Sequence, residues 1–303
     1  MKNLCKKLKI NAQGHKDIDF IDVSFARDTK LFLDPCLIET GETEWCKKAS
    51  KTMTSFFDEL YCRYREPKRG RSVYQLLQHL GERNEARLGY GNGDNGKGNT
   101  ADGMMDILAE VPELIAKGIQ MEDPIDLPLF LSDFAEDGMS DMLINILFKD
   151  LSDFTLQQCQ KYGIKTIPID TERYYWDYNT LSWQLYSGDC LRVDGKLILM
   201  IPKNIVRTRY YYNTSQYFRS MIVSRIKKEK TEYVDGKAVA PKIQDIFDEE
   251  CQEYGSVKDA ACYHTTKTPS ALSLYHANMF NAYGGKSMTD KALDDFIYGV
   301  VEE

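Results

Sequence analysis

The sequence predicts an α+β fold: a mixed or antiparallel sheet with strands near 18–34 and 165–206, helices from 44–163, and a helical C-terminal region. Two observations carry this. The apolar residues switch between a two-residue and a helical period three times along the chain. An Asp194-Gly195 pair also stands between two short β-rich runs, the strongest local signal for a two-residue hairpin.

The elements follow in order. IDFIDV (18–23) and KLFL (30–33) are short, β-rich and bounded by polar residues, and Pro35 closes the second because proline cannot donate to a ladder. Met53, Phe56, Phe57, Leu60 and Tyr64 then share one helical face, and a second helix is expected over roughly 72–88, with Val73, Leu76, Leu77 and Leu80 on one side. A further helix runs through ADGMMDILAEV. EDPIDLP (122–128) is a proline-punctuated connector and a candidate subdomain boundary inside what reads as one α+β domain over 1–303. The stretch 140–163 reads as one helical region, with Ser140 as N-cap and Gly163 just past the end. KTIPI, SWQLY, CLRV and KLILMI are strand-like. Val-Asp-Gly-Lys recurs at 234–237 as a second hairpin turn, and the last 60 or so residues are helical, with caps at Thr268 or Ser270 and at Thr289.

Apolar residues make up 43% of the 303 and charged residues 28%, the balance of an ordinary folded chain. The longest clean apolar run, Leu197–Pro202, falls far short of the roughly 20 residues a bilayer needs. The N-terminus carries charge but no apolar core for a secretory signal, and none of the eight cysteines sits in a Cys-x-x-Cys pair. The expectation is a cytoplasmic protein with reduced thiols and no membrane association. No His-x₃-His pair or Gly-x-Ser-x-Gly elbow occurs, which disfavours histidine-based zinc enzymes and serine hydrolases.

Charge is unevenly distributed. Residues 101–155 hold thirteen acidic side chains against Lys117 and Lys149, while 203–230 hold eight basic ones against Glu229. Such a division suits an anion-binding face beside a carboxylate cluster, although solvated helix faces produce it as well. In the acidic half, Glu136, Asp137 and Asp141 cluster at a helix start. Asp137 and Asp141 are four apart and would share a face, from which hard carboxylate oxygens could hold Mg²⁺ or Mn²⁺; complementing the helix dipole is the alternative. Asp34, at a strand end, is a further candidate ligand. In the basic half, Arg207, Arg209, Arg219 and Arg225 interleave with Tyr210, Tyr211, Tyr212, Tyr217 and Phe218, the combination that grips phosphates and stacks bases; Trp176 and Trp183 add rings upstream. Lys203, after the most apolar strand, is a candidate to stabilise an attacked phosphate. Between the halves, Gly91 is followed at P-loop spacing by Gly96-Lys97. Gly98 replaces the hydroxyl residue and no apolar strand precedes the loop, so Lys97 is a candidate phosphate contact rather than part of a nucleotide-hydrolysing loop.

The stretch DGMSDMLINILFKDLSDFTLQQC, with LFLDP and LILMIPKNIVR, resembles an uncharacterised group of bacterial proteins associated with restriction and phage defence. That resemblance implies a bacterial protein that works on nucleic acid. The resulting expectation is a metal-dependent nuclease, with Asp137 and Asp141 (joined by Asp34 or Glu136) on Mg²⁺ or Mn²⁺ and Lys203 on the phosphate. The alternative is a non-catalytic nucleic-acid-binding or adaptor subunit of a defence complex.

Overall fold

A computed structural model describes residues 3–66, 70–81, 83–90, 101–131, 134 and 136–299. Helices and short antiparallel strands make an α+β fold. The strands do not join into one sheet as the sequence suggests. β1 (Phe32–Leu33), β2 (Ile167–Pro168), β3 (Tyr174–Asp177), β4 (Ser182–Leu185), β5 (Asp189–Val193), β6 (Lys196–Ile198), β7 (Val206–Arg207), β8 (Glu232–Val234) and β9 (Lys237–Val239) form four small sheets. These are β1–β7, β2–β5–β6, β3–β4 and β8–β9, all antiparallel.

The expected strand at 18–23 is the clearest departure. Ile18, Phe20, Ile21, Asp22 and Val23 are all buried, so the two-residue alternation is not realised as a half-exposed ladder. The segment instead threads the core, meeting Pro202 through one bridge at Phe20 and Ile201 through the Ile21 N–H. KLFL shortens to β1 for a related reason: Asp34 caps the following Pro35–Glu39 helix by accepting from the Cys36 N–H at 2.9 Å, with Pro35 preset at the first helical position.

The Glu44–Arg65 helix forms as its spacing dictates and buries Met53, Phe56, Phe57, Leu60 and Tyr64. The helix expected over 72–88 ends at Leu77; further along, Arg87 takes the left-handed region (φ 52°) and its carbonyl accepts from the Thr29 N–H. The 140–163 region begins earlier, at Glu136, and divides at Leu147 into Glu136–Ile146 and Phe148–Lys161. Ser140 is therefore not a cap: its buried hydroxyl accepts from the Leu33 N–H at 3.1 Å, fastening the Glu136–Ile146 helix to β1. Gly163 does take the left-handed conformation past the helix end (φ 64°). Both Asp-Gly turns have positive φ at each central residue, the geometry that matches strand twist.

The apolar core is one contiguous cluster running from Leu4 to Ile297. At its aromatic centre Phe56 meets Trp176 and Trp183 edge-on, at 5.2 and 5.8 Å between ring centroids. Trp176 donates to Ser55 Oγ and Trp183 to the Leu76 carbonyl, so both indoles serve packing and not a nucleic-acid surface. No described helix is long and apolar enough to cross a membrane.

Candidate anion-binding site

The residues singled out in the sequence are distributed over several places. Asp34 is buried, with both oxygens engaged: Oδ2 accepts from Arg207 Nε at 2.6 Å, and Oδ1 accepts from the Tyr212 hydroxyl at 3.1 Å and the Cys36 N–H. Burial pushes its carboxyl up from the usual aspartate range, against the pull of Arg207, Cys36 and Tyr212. Arg207 also donates to the Tyr283 carbonyl at 2.9 Å and lies over the Tyr211 ring at 4.5 Å. Asp34 and Arg207 are thus partners in an internal ion pair, and neither is open to a metal or a strand of nucleic acid.

The acidic helix start is arranged around Tyr210. This buried tyrosine donates its hydroxyl to the Leu33 carbonyl, and its N–H to Glu136 Oε1 at 3.3 Å. Burial raises its phenol well above the ordinary value, and the charges of Asp34, Glu136, Asp137 and Asp141 raise it further. Asp137 accepts from the Tyr90 N–H and is shifted upward by burial and by Glu136. Its carboxylate lies against Gly89, where a β-carbon would come within 2.5 Å of Oδ1; Gly89 has φ 108°. The four carboxylates share a neighbourhood. Among the described residues, however, no group of three or more His, Cys, Asp or Glu side chains is arranged to hold a metal ion.

Lys203 belongs elsewhere. Its ammonium pairs with Asp290 at 2.7 Å and donates to the His15 carbonyl, so the amine assigned to a phosphate is committed to tying the N- and C-terminal segments together. The expected base-stacking surface is likewise inverted. Tyr210, Tyr212, Tyr217 and Phe218 are buried, leaving Tyr211 as the exposed ring of that set. The helix through 214–229 contains a π-helical stretch, Phe218–Val223. From it Arg219 packs over Phe247 at 3.8 Å and Arg225 contacts His264 and Glu229. These arginines cover the helices that follow; Arg209 remains exposed. Lys97 and its glycine loop lie outside the described residues.

A different constellation forms where no stretch of the sequence is basic. The chain after the Gly70–Leu77 helix brings Arg83, Glu85 and Arg87 against the β5–β6 hairpin, held there by the Leu199 N–H donating to the Glu85 carbonyl at 2.9 Å. On β5, Leu191 and Val193 turn inward, and Arg192 falls on the opposite face. The Asp194-Gly195 turn folds Lys196 back beside it, while Arg192 donates to the Gly195 carbonyl at 2.8 Å. Arg173 enters just before β3. Together these residues line an open cleft of about 320 Å³.

Four arginines and one lysine line the cleft beside one described acidic lining residue, Glu85, to which Arg173 is paired at 2.6 Å. Arg87 is held by the Ser24 carbonyl, with Asp28 at 3.9 Å, and Arg192 by Asp170. Arg83 meets no carboxylate at ion-pair distance among the described residues. It donates to the Asn145 side-chain oxygen at 2.6 Å and lies over Phe148. Burial pulls its pKa down and Arg173 pulls the same way, against Glu85. An oxyanion entering the cleft would supply the missing negative charge and accept from planar donor forks already oriented by the protein.

The cleft is not legible in any one segment: its cations come from three separate stretches, 83–87, 173 and 192–196, and ERNEAR alternates charge sign. No window of the sequence is basic there. The mixed-charge run directly before the glycine loop was the available clue.

No curated protein and no solved structure matches the chain. The family model of a domain of unknown function, DUF8370, matches residues 9–213, a span that contains every cleft residue named above, and the chain belongs to that family.

Proposed function

We propose that this protein binds nucleic acid through its phosphate groups, at the cleft formed by Arg83, Arg87, Arg173, Arg192 and Lys196. It would act without catalysis, as a binding or adaptor subunit in a bacterial defence system of the kind the sequence resemblance implies. One observation carries the reading: the cleft lining gathers four arginines and a lysine with one described acidic residue, Glu85, and Arg83 meets no ion-pair partner among the described residues. Arginine forks oriented by protein oxygens are suited to phosphate oxygens and insensitive to base sequence. A cytoplasmic setting accords with eight free cysteines.

The test is fluorescence anisotropy with labelled single-stranded and duplex oligonucleotides. Wild-type protein is expected to bind both in low salt, with affinity falling as salt rises. Arg83→Gln, which keeps a donor for Asn145, is expected to weaken binding by about tenfold, the loss of one charge-assisted hydrogen bond. Absence of wild-type binding at 50 mM salt, an ionic strength at which phosphate contacts are strong, would remove the reading.

A second reading, Mg²⁺- or Mn²⁺-dependent phosphodiester cleavage, rests on Glu136, Asp137 and Asp141 lying near enough to the Tyr210 phenol for their charges to raise it. Asp34 and Lys203 are left out of it, being held by Arg207 and Asp290. Incubating DNA and RNA with either metal should then give products with wild type and none with Asp137→Ala or Asp141→Ala. Equal behaviour of all three proteins rejects it.

A further inference from the structure

We infer that the cleft selects a phosphate monoester dianion, as found at the 5′ end of a strand or on a free nucleotide, over the monoanionic diester inside a strand. The inference rests on the proposed phosphate binding and narrows it to one chemical class.

Three observations support it. First, the volume of about 320 Å³ lies at the lower end of small-ligand sites and has room for one phosphorylated group, not the several nucleotides of a strand-tracking groove. Second, none of the described lining residues is aromatic, so the cleft has no platform on which to stack a base and must recognise the phosphate itself. Third, the basic lining residues come from separate segments: Arg83 and Arg87 from 83–87, Arg173 from just before β3, Arg192 and Lys196 from the hairpin, with Arg87 already held by the Ser24 carbonyl. Cations converging from several sides favour a terminal group, whose three free oxygens can each accept. An internal diester offers two, and its strand must leave on both sides.

The experiment compares one fluorescent single strand carrying either a 5′-phosphate or a 5′-hydroxyl, with AMP and adenosine as competitors. The expected result is at least tenfold tighter binding of the 5′-phosphorylated strand. That preference should disappear in Arg83→Gln and in Arg192→Gln while both variants keep the wild-type melting temperature to within a few degrees. Competition by AMP but not adenosine supports the inference and shows that the dianion suffices without a strand. Failure of AMP, with the strand preference intact, supports it with the strand end as source. Equal affinity for the two strands overturns the inference; if Arg83→Gln then weakens both alike, nucleic-acid binding still stands. Binding of AMP with no binding of either strand supports the monoester site and removes the nucleic-acid reading instead.

Discussion

Arg207 and Asp34 make a costly polar contact in the interior: each is desolvated, and each depends on the other and on a few neutral donors and acceptors. Removing one partner leaves a buried charge uncompensated. Arg207→Met is therefore expected to destabilise the fold by about 3–5 kcal/mol, read as a shift in the urea midpoint. The double variant Asp34→Leu/Arg207→Met should recover a substantial part of that loss, because neither charge then remains. If the double variant is as unstable as the single one, the pair is not the source of the cost. At this scale the sequence indicated which residues matter but not how. Asp34 was legible as a strand-end carboxylate and Arg207 as one of a basic series; that they neutralise each other follows from the β1–β7 register, Phe32 opposite Arg207.

Between elements, a half-buried polar junction ties the Pro35–Glu39 helix, the 123–126 segment and the Ser270–Tyr283 helix. His276 Nε2 lies 2.7 Å from Asp126 Oδ1, with Glu39 and Asp123 nearby. Burial, then the charge of Asp126, lifts Asp123 to about 7. For His276, burial acts downward, but Asp126, Asp123 and Glu39 outweigh it and raise the imidazole above 6.5. Both groups thus hold their protons more tightly in the folded chain. The stability from His276 is complete below 6.5 and lost as pH rises through its folded value. That from Asp123 declines as pH climbs from about 3.8 to about 7. Both act in one direction, so the protein should be more stable at pH 6 than at pH 8, by at most about 1.4 kcal/mol per pH unit for each group. Denaturation across that range should show the slope, and Asp123→Asn should flatten it. A wild-type slope of the opposite sign would refute the assignment.

Over the whole molecule, the Asp290–Tyr298 helix closes the core against the N-terminal segment. Asp294 accepts from both the backbone N–H and the ring of His15, Tyr298 donates to Asp22 at 2.8 Å, and Leu293 and Ile297 are buried. Deleting the chain from Thr289 onward is expected to cost about 3–6 kcal/mol from those two apolar side chains alone. The cost would appear as a lower urea midpoint and as loss of protection at His15 in hydrogen exchange. An unchanged midpoint would mean that the helix rests on the surface without stabilising it.

By itself, the sequence determined the α+β class, the Glu44–Arg65 helix, the cap at Thr289 and both Asp-Gly hairpins. These features depend on forces reaching only two to four residues along the chain: side-chain periodicity, capping hydrogen bonds and the φ each turn requires. Only the tertiary structure decided that the strands separate into four small sheets, that the tyrosines of 210–217 pack inward except Tyr211, and that Lys203 joins Asp290 instead of the acids at 136–141. It also assembled the arginine cleft from stretches about a hundred residues apart. The physical reason is that a charge's role depends on which opposite charge folding brings within a few ångströms, and local sequence holds no record of that distance.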